Sequence, residues 1–306
     1  MKNSGKILGL VAIVLISSLF IFSTKKEAIS KEIILTDNEK NTSESYQIKA
    51  LKIPSNLNFA GELVPLEKED IKERIDRELL VNTYWQSNGL LLFKRAHKYF
   101  PIIEPILEKN GVPNDFKYLA VIESGLQNVT SPAGARGFWQ IMKATGRENG
   151  LEINTNVDER YNLEKATQVA CNYLLKAKER FGSWTLAAAA YNAGNAGISK
   201  RMNTQLVDSY YDLLLPEETQ RYIPRMVAVK EILSNPTKYG FILEDNDLYN
   251  LEATRTVKVD TVITNIARFS KEMGINYKTL KLHNPWLREN KLNNASRRLY
   301  EIKIPL

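Results

Sequence analysis

The chain has 306 residues, 43% hydrophobic and 25% charged, an ordinary globular composition with room for one to three domains and a buried core. A single cysteine, Cys171, excludes an intramolecular disulfide, and two distant histidines, His97 and His283, argue against a histidine triad or a metal site. Of the net charge of +7, residues 250–306 hold +6, with eleven Lys and Arg against five Asp and Glu; such a tail suits an anionic polymer or lipid surface, or is simply a solvated face.

In chain order, Lys2 and Lys6 precede an apolar run at 7–22 that closes with Ser23, Thr24, Lys25 and Lys26. This is the pattern of an export signal or membrane anchor within residues 1–30. As a helix the run rises about 24 Å, short of the roughly 30 Å hydrocarbon core. Ala28-Ile29-Ser30 offers a cleavage site of the small-x-small kind, so a cleaved signal and a retained anchor both stay open. Residues 31–80 read as a linker, polar and without period as far as 60, followed by a charged helical extension at 67–80.

Helical periodicity sets in near Tyr84, carried by Leu90, Leu91, Phe93, Ala96, Phe100 and Ile103. Pro113-Asn114-Asp115 predicts a helix start with Asn114 or Asp115 as N-cap, and a helix over 116–123. Residues 128–142 break the pattern. Ser131-Pro132-Ala133-Gly134 and Gly137 supply turn chemistry, and Phe138-Trp139-Gln140-Ile141 has strand-like residues. Helices resume at 163–180, where Cys171 reads as a small buried apolar residue, and at 185–191 and 216–233. Ala187-Ala188-Ala189-Ala190 has no bulk on any face, which suits a helix at the centre of a domain. Beyond Ser234-Asn235-Pro236, Val257 and Val259 alternate as in a strand, and Val262, Ile266, Phe269 and Met273 step as in a helix. Tyr277 opens a second short helix, and Tyr300, Ile302 and Ile304 alternate again. Strand, helix, helix, strand makes a small separate module at 250–306.

Glu123 ends an apolar helix and meets a glycine-rich loop. Burial beside apolar groups raises a carboxyl pKa towards neutrality, where it can protonate a glycosidic oxygen. From position alone a glutamate at a helix end is more often structural.

The neighbourhood reverses that reading. Glu123-Ser124-Gly125, the run from Ser131-Pro132-Ala133-Gly134 through Gly137-Phe138-Trp139-Gln140-Ile141-Met142, and Ala189-Ala190-Tyr191-Asn192-Ala193-Gly194 resemble the successive motifs of the lysozyme-like soluble-transglycosylase family. Val157-Asp158-Glu159-Arg160, Tyr173-Leu174 and the stretch from Leu215-Pro216-Glu217-Glu218-Thr219 to Tyr222-Ile223-Pro224 extend the likeness. The resemblance implies a mainly α, lysozyme-like catalytic domain over 81–240 and a lytic transglycosylase activity on the glycan strands of peptidoglycan. The bond cut would be the β-1,4 bond from N-acetylmuramic acid to N-acetylglucosamine. Carried over, Glu123 is the catalytic acid/base, Ser131 orients the muramoyl unit, and Gln140, Tyr191, Asn192 and Tyr222 line the glycan groove. Gln140 offers a donor and an acceptor, and the tyrosines a flat face with a hydroxyl; for Gln140 the alternative is a loop-fixing hydrogen bond, and for Tyr191 core packing.

No cofactor, metal or nucleic acid is implied, and the expected location is the cell envelope, in the periplasm or at the membrane. Arg136, the bulky Phe138-Trp139 pair and Lys143 depart from the family's usual residues and bear on subsite preference. A two-carboxylate hydrolase needs a second acid about 5–9.5 Å from the first. Asp158 and Glu159 are the nearest candidates, yet beside Arg160 they read as a charged turn. One acid then has to do both jobs, and the mechanism that the resemblance implies fits this: Glu123 would protonate the leaving oxygen and take the proton of the muramoyl C6 hydroxyl as it attacks C1, which yields a 1,6-anhydro end. A hydrolase on the same fold and a non-catalytic peptidoglycan-binding protein are the rival readings. Residues 250–306 resemble a degenerate LysM domain, a βααβ glycan-binding unit, through Asp260-Thr261, Asn284-Pro285 and Ile302-Lys303-Ile304-Pro305.

Overall fold

The computed structural model describes residues 48–306. The expected export segment at 1–30 and residues 31–47 of the expected linker lie outside the described residues. Ala50–Leu306 form one unit. Among the described residues no helix is long and apolar enough to cross a membrane.

Helix α1 (Glu69–Tyr84) follows from Ile71, Ile75 and Leu79 at steps of four, all buried, with Glu69 and Asp70 favourably placed in the first turn. Helix α2 (Gln86–Lys109) buries Leu92, Phe93, Ala96, Ile103 and Leu107. Helix α3 (Lys117–Ser124) is short and stops where Gly125 turns left-handed at φ 58°. Helix α4 (Lys143–Glu148) leads to α5 (Leu163–Phe181), opened by the Asn162 side chain accepting from the Lys165 amide. Ser183 caps α6 (Trp184–Ala193) in the same way. Ala187 to Ala190 are all fully buried, so this helix is the centre of the helical domain, as its lack of bulk predicts. Helices α7 (Asn195–Gln205), α8 (Glu217–Gln220) and α9 (Tyr222–Ser234) complete it. Cys171 sits in this core with its thiol pushed up to about 12 by burial.

Several expectations change. The stretch read as linker carries, near its end, a short antiparallel hairpin of β1 (Asn58–Phe59) and β2 (Glu62–Leu63). Phe59 is fully buried and packs edge-on against Phe116, 5.1 Å between centroids; isolated apolar residues in polar sequence leave no period to detect. Asp115 does not cap a helix. Its Oδ2 accepts from the Ala60 amide and from Lys230 Nζ, both at 2.7 Å, and ties the hairpin to α9. Residues 138–141 form no strand; isolated bridges of Arg136 with Thr130 and Ile141 fold them into a tight loop. The helix expected at 216–233 breaks at Arg221 into α8 and α9, and α7 arises from a stretch with little amphipathic signal.

The C-terminal segment has the βααβ order expected. Strands β3 (Thr254–Val259) and β4 (Tyr300–Pro305) pair antiparallel, Val257 opposite Ile302 and Val259 opposite Tyr300. Between them lie α10 (Ile266–Glu272) and α11 (Tyr277–His283), capped by Asn265 and Asn276. Val262 is exposed and precedes α10 rather than belonging to it. Val259, Ile266, Leu280, Ile302 and Ile304 form a core of their own, but Val157 and Tyr161 from the helical domain are part of it. The segment is thus a distinct layer whose core is completed from outside.

Candidate active site

Helix α3 sets Glu123 on its last turn because Tyr118, Leu119, Ala120 and Val121 bury the rest of it. Ser124 Oγ donates to the carbonyls of Ala120 at 3.1 Å and Phe138 at 2.8 Å, which fastens the helix end to the glycine-rich loop. Arg95 Nη1 donates to the Gly125 carbonyl at 3.1 Å. The Glu123 carboxyl is pushed up to about 7, chiefly by burial. A hydrogen bond donated by the Tyr222 hydroxyl to Glu123 Oε1 pulls it down, the nearby Glu218 charge pushes it up, and Arg225 pulls it down. The phenols of Tyr222 and Tyr191 are themselves raised well above 10 by burial and by Glu123, so both remain protonated donors.

Glu123 lines a cavity with Gly125, Gln127, Val129, Glu78, Arg221 and Arg225. The two arginines do not face it unpaired. Glu78, on α1 and 1% exposed, accepts from Arg221 Nε at 2.6 Å and Arg77 Nη1 at 2.6 Å and lies 3.7 Å from Arg225 Nε. One buried carboxylate thereby offsets part of the positive charge beside the acid; Arg225 still pulls the Glu123 pKa down, and burial outweighs it.

Gln140, Tyr191 and Asn192 line a second cavity together, with Tyr173, Met142 and Gly194. Gln140 has φ 45° and donates from Nε2 to the carbonyls of Gly137 at 2.7 Å and Val129 at 3.2 Å, so its amide nitrogen holds the loop while its oxygen is left as the acceptor. Tyr191 donates to the Trp139 carbonyl at 2.7 Å and stands edge-on to Tyr173. Asn192 donates to Glu218 at 3.2 Å and accepts from Thr219 at 2.7 Å, joining α6 to α8. Tyr222 is 3% exposed, so no open face is left for a sugar ring; its hydroxyl serves Glu123 instead. Ser131 lies in neither cavity and closes its own turn, Oγ accepting from the Ala135 amide at 3.0 Å.

Asp158 and Glu159 are both engaged. Asp158 accepts from Arg160 Nε at 2.9 Å, Arg160 Nη2 at 2.8 Å and Arg136 Nη1 at 2.9 Å, and these hold its pKa below the usual range despite burial. Glu159 pairs with Lys165 and Arg298. The carboxylate that bears on Glu123 is Glu218, which the sequence reading quoted within the 215–224 motif but did not single out. The position of Glu218 next to a loop break gave no sign of which way it faces. Glu78 had no signal beyond a charge at a step of three from Ile75, next to the buried Leu79 in a highly charged helix. Among the described residues no group of three or more His, Cys, Asp or Glu could hold a metal.

Residues 100–210 match the family model of the transglycosylase SLT domain, and residues 255–306 match that of the soluble lytic transglycosylase C-terminal LysM-like domain. The chain is 31% identical over 224 residues to membrane-bound lytic murein transglycosylase D of Escherichia coli K12, covering 71% of this chain and 48% of that protein. The same figures hold for the protein of that name in E. coli O6:H1. The chain therefore spans about half the length of the curated relatives it matches. Among solved structures, the 70 kDa soluble lytic transglycosylase of E. coli is similar at 16% identity and a TM-score of 0.41, over 76% of this chain and 47% of that one. By its two matched segments, the chain carries a transglycosylase SLT domain followed by a LysM-like domain of the soluble lytic transglycosylase type.

Proposed function

We propose that the chain is a peptidoglycan lytic transglycosylase of the cell envelope, cutting the β-1,4 bond from N-acetylmuramic acid to N-acetylglucosamine with Glu123 as its acid/base. The observation that carries this reading is a carboxyl held at about 7 by burial, with a protonated tyrosine donating to one of its oxygens. A group poised near neutrality serves as acid in one half of a reaction and base in the other. With Oε1 taken by Tyr222, the proton to be delivered sits on Oε2. Glu123 gives that proton to the glycosidic oxygen as the C1–O bond breaks. The carboxylate then takes the proton of the muramoyl C6 hydroxyl while O6 bonds to C1. No water is consumed, and the new end is a 1,6-anhydro sugar. The attacking hydroxyl belongs to the ring that it closes on, so proximity replaces a second catalytic group. Ser131, Gln140 and Asn192 act as substrate-binding residues in this reading, and Tyr191 and Tyr222 act through the loop and the acid respectively.

Glu218 favours one alternative. Its charge reaches Glu123, so a hydrolase with Glu218 steering a water is the competing chemistry. Digestion of purified sacculi followed by mass spectrometry of the released muropeptides separates the two. Anhydro ends support the transglycosylase, reducing ends require the hydrolase, and no release from well-folded protein leaves a binding protein. Residues 1–30 are read as the segment that brings the chain to the envelope, checked by N-terminal sequencing of the mature protein.

A further inference from the structure

The strip at 152–161 is held from both sides. On one side stands the C-terminal segment. The Asp158 amide donates to the Trp286 carbonyl and the Arg288 amide to the Asn156 carbonyl, each at 2.9 Å, and Val157 bridges to Leu287. The Asn156 side chain donates to the Lys291 carbonyl at 2.7 Å and accepts from the Asn293 amide at 2.8 Å. Arg298 reaches Glu152 at 3.1 Å and Glu159 at 3.2 Å, and Tyr300 donates to Glu152 at 2.7 Å. The Arg288 guanidinium lies 4.2 Å from the Tyr161 ring centroid. Val157 and Tyr161 complete the segment's apolar core.

On the other side stands the glycine-rich loop. Arg160 Nη1 donates to the carbonyls of Gly134 at 3.1 Å and Ile141 at 3.2 Å, and Asp158 takes Arg136 from the same loop. Tyr161 shares a hydrogen bond with Thr130 at 2.9 Å. Gly137 presses so close to the Arg160 carbonyl that a Cβ there would meet it at 2.0 Å. The loop held in this way presents Gln140 and Ser131, and it receives the Ser124 hydroxyl next to Glu123. On this strip Asn156, Asp158, Glu159 and Arg160 are buried and hydrogen-bonded, and such a connected set rigidifies it.

We infer that the LysM-like segment is a clamp for the catalytic loop: through Asn156, Glu152 and Glu159 it fixes the strip on which the 130–141 loop rests, and so positions Gln140 and Ser131 towards the substrate. This goes beyond an anchoring role for the segment, and it rests on the proposed reading of Gln140 and Ser131 as substrate-binding residues. Asn156 and Arg298 are the positioning residues. Neither needs to touch glycan.

The test uses the full chain with Asn156→Ala and Arg298→Ala combined, and Arg298→Lys as the conservative control. Hydrogen exchange followed by mass spectrometry is read over peptides spanning 127–142 and, as an internal reference, α5. Kinetics are read on soluble glycan fragments, so that adhesion to insoluble wall plays no part. The clamp predicts faster exchange over 127–142 with α5 unchanged. It also predicts a KM raised about fivefold or more, the scale of one or two lost hydrogen bonds. The basic limb of the kcat/KM profile, which reports the free protein, should stay near 7, because Glu123 is held by α3 and Tyr222 rather than by the strip. Arg298→Lys should recover part of the KM. Unchanged exchange over 127–142 in the double variant overturns the clamp, as does a displaced kcat/KM profile at constant KM. If the wild-type chain cleaves no glycan, the proposed function fails, while the exchange result still decides the clamp.

Discussion

Replacing Glu123 with Gln removes the acid and keeps the shape, and it has two consequences of opposite sign. Turnover should fall by at least about 10²-fold, the lower range for a positioned acid/base. Stability should rise. In the folded wild type the carboxyl titrates at about 7 and in the unfolded chain at its ordinary 4.5, so between these values the folded state binds the extra proton. Stability therefore declines as pH rises from 4.5 to 7, and above 7 the full cost of keeping a buried carboxylate is present. At 1.36 kcal/mol per pKa unit the cost is at most about 3.5 kcal/mol, reduced by whatever solvent the side chain still meets. The amide carries no charge and can still accept from Tyr222. Urea unfolding of both proteins at pH 4, 6 and 8 measures the difference. The curves should coincide at pH 4, separate through pH 6 and differ most at pH 8, with the variant the more stable. Equal stability across the range would mean that Glu123 is not held neutral, and the acid assignment would lose its physical basis even if activity were lost.

Tyr222→Phe removes the donor that favours the Glu123 carboxylate, so the basic limb of the pH–rate profile should move up by about one unit, the worth of one charged hydrogen bond; no movement would separate Tyr222 from the acid. Glu218→Gln takes away a like charge, so that limb should move down while anhydro products persist; abolished turnover would instead point to a second catalytic carboxylate. Gly137→Ala demands a side chain at φ 80°, against the Arg160 carbonyl, and should cost at least about 2 kcal/mol in urea unfolding. A smaller loss would show that the loop gives way there.

What the sequence revealed was local. Ala187 to Ala190 announced a central helix because a face without bulk admits neighbours from all sides, and the βααβ order emerged from two alternations around two periodic stretches. Glu123 stood out through the ordered motifs around it, since its place at a helix end alone favours a structural role. What surrounds it in space did not. Tyr222 lies 99 positions away and Arg221 lies 143 from Glu78, and no window of sequence reports a hydrogen bond across such distances. Tyr222 had been expected to offer a ring to sugar, yet the break at Arg221 turns it inwards. Asp115 looked like a cap because its type and position suit one; a lysine from α9 and a hairpin amide compete for the same oxygen and win it.

The Glu78 clasp bears on where this chain can be cut. The segment matching the SLT family model begins at residue 100 and ends at 210. Glu78 lies before that segment, and Tyr222 and Arg225 lie after it. A fragment trimmed to the match would keep the glutamate and lose its electrostatic setting. A fragment trimmed only at its front would be worse placed. The Arg225 guanidinium, which already lowers the Glu123 pKa, would lose its partner Glu78 and draw that pKa further towards the ordinary carboxylate range. The groups that set the charge around Glu123 thus begin with the helix at residue 69, ahead of the segment that matches the family model.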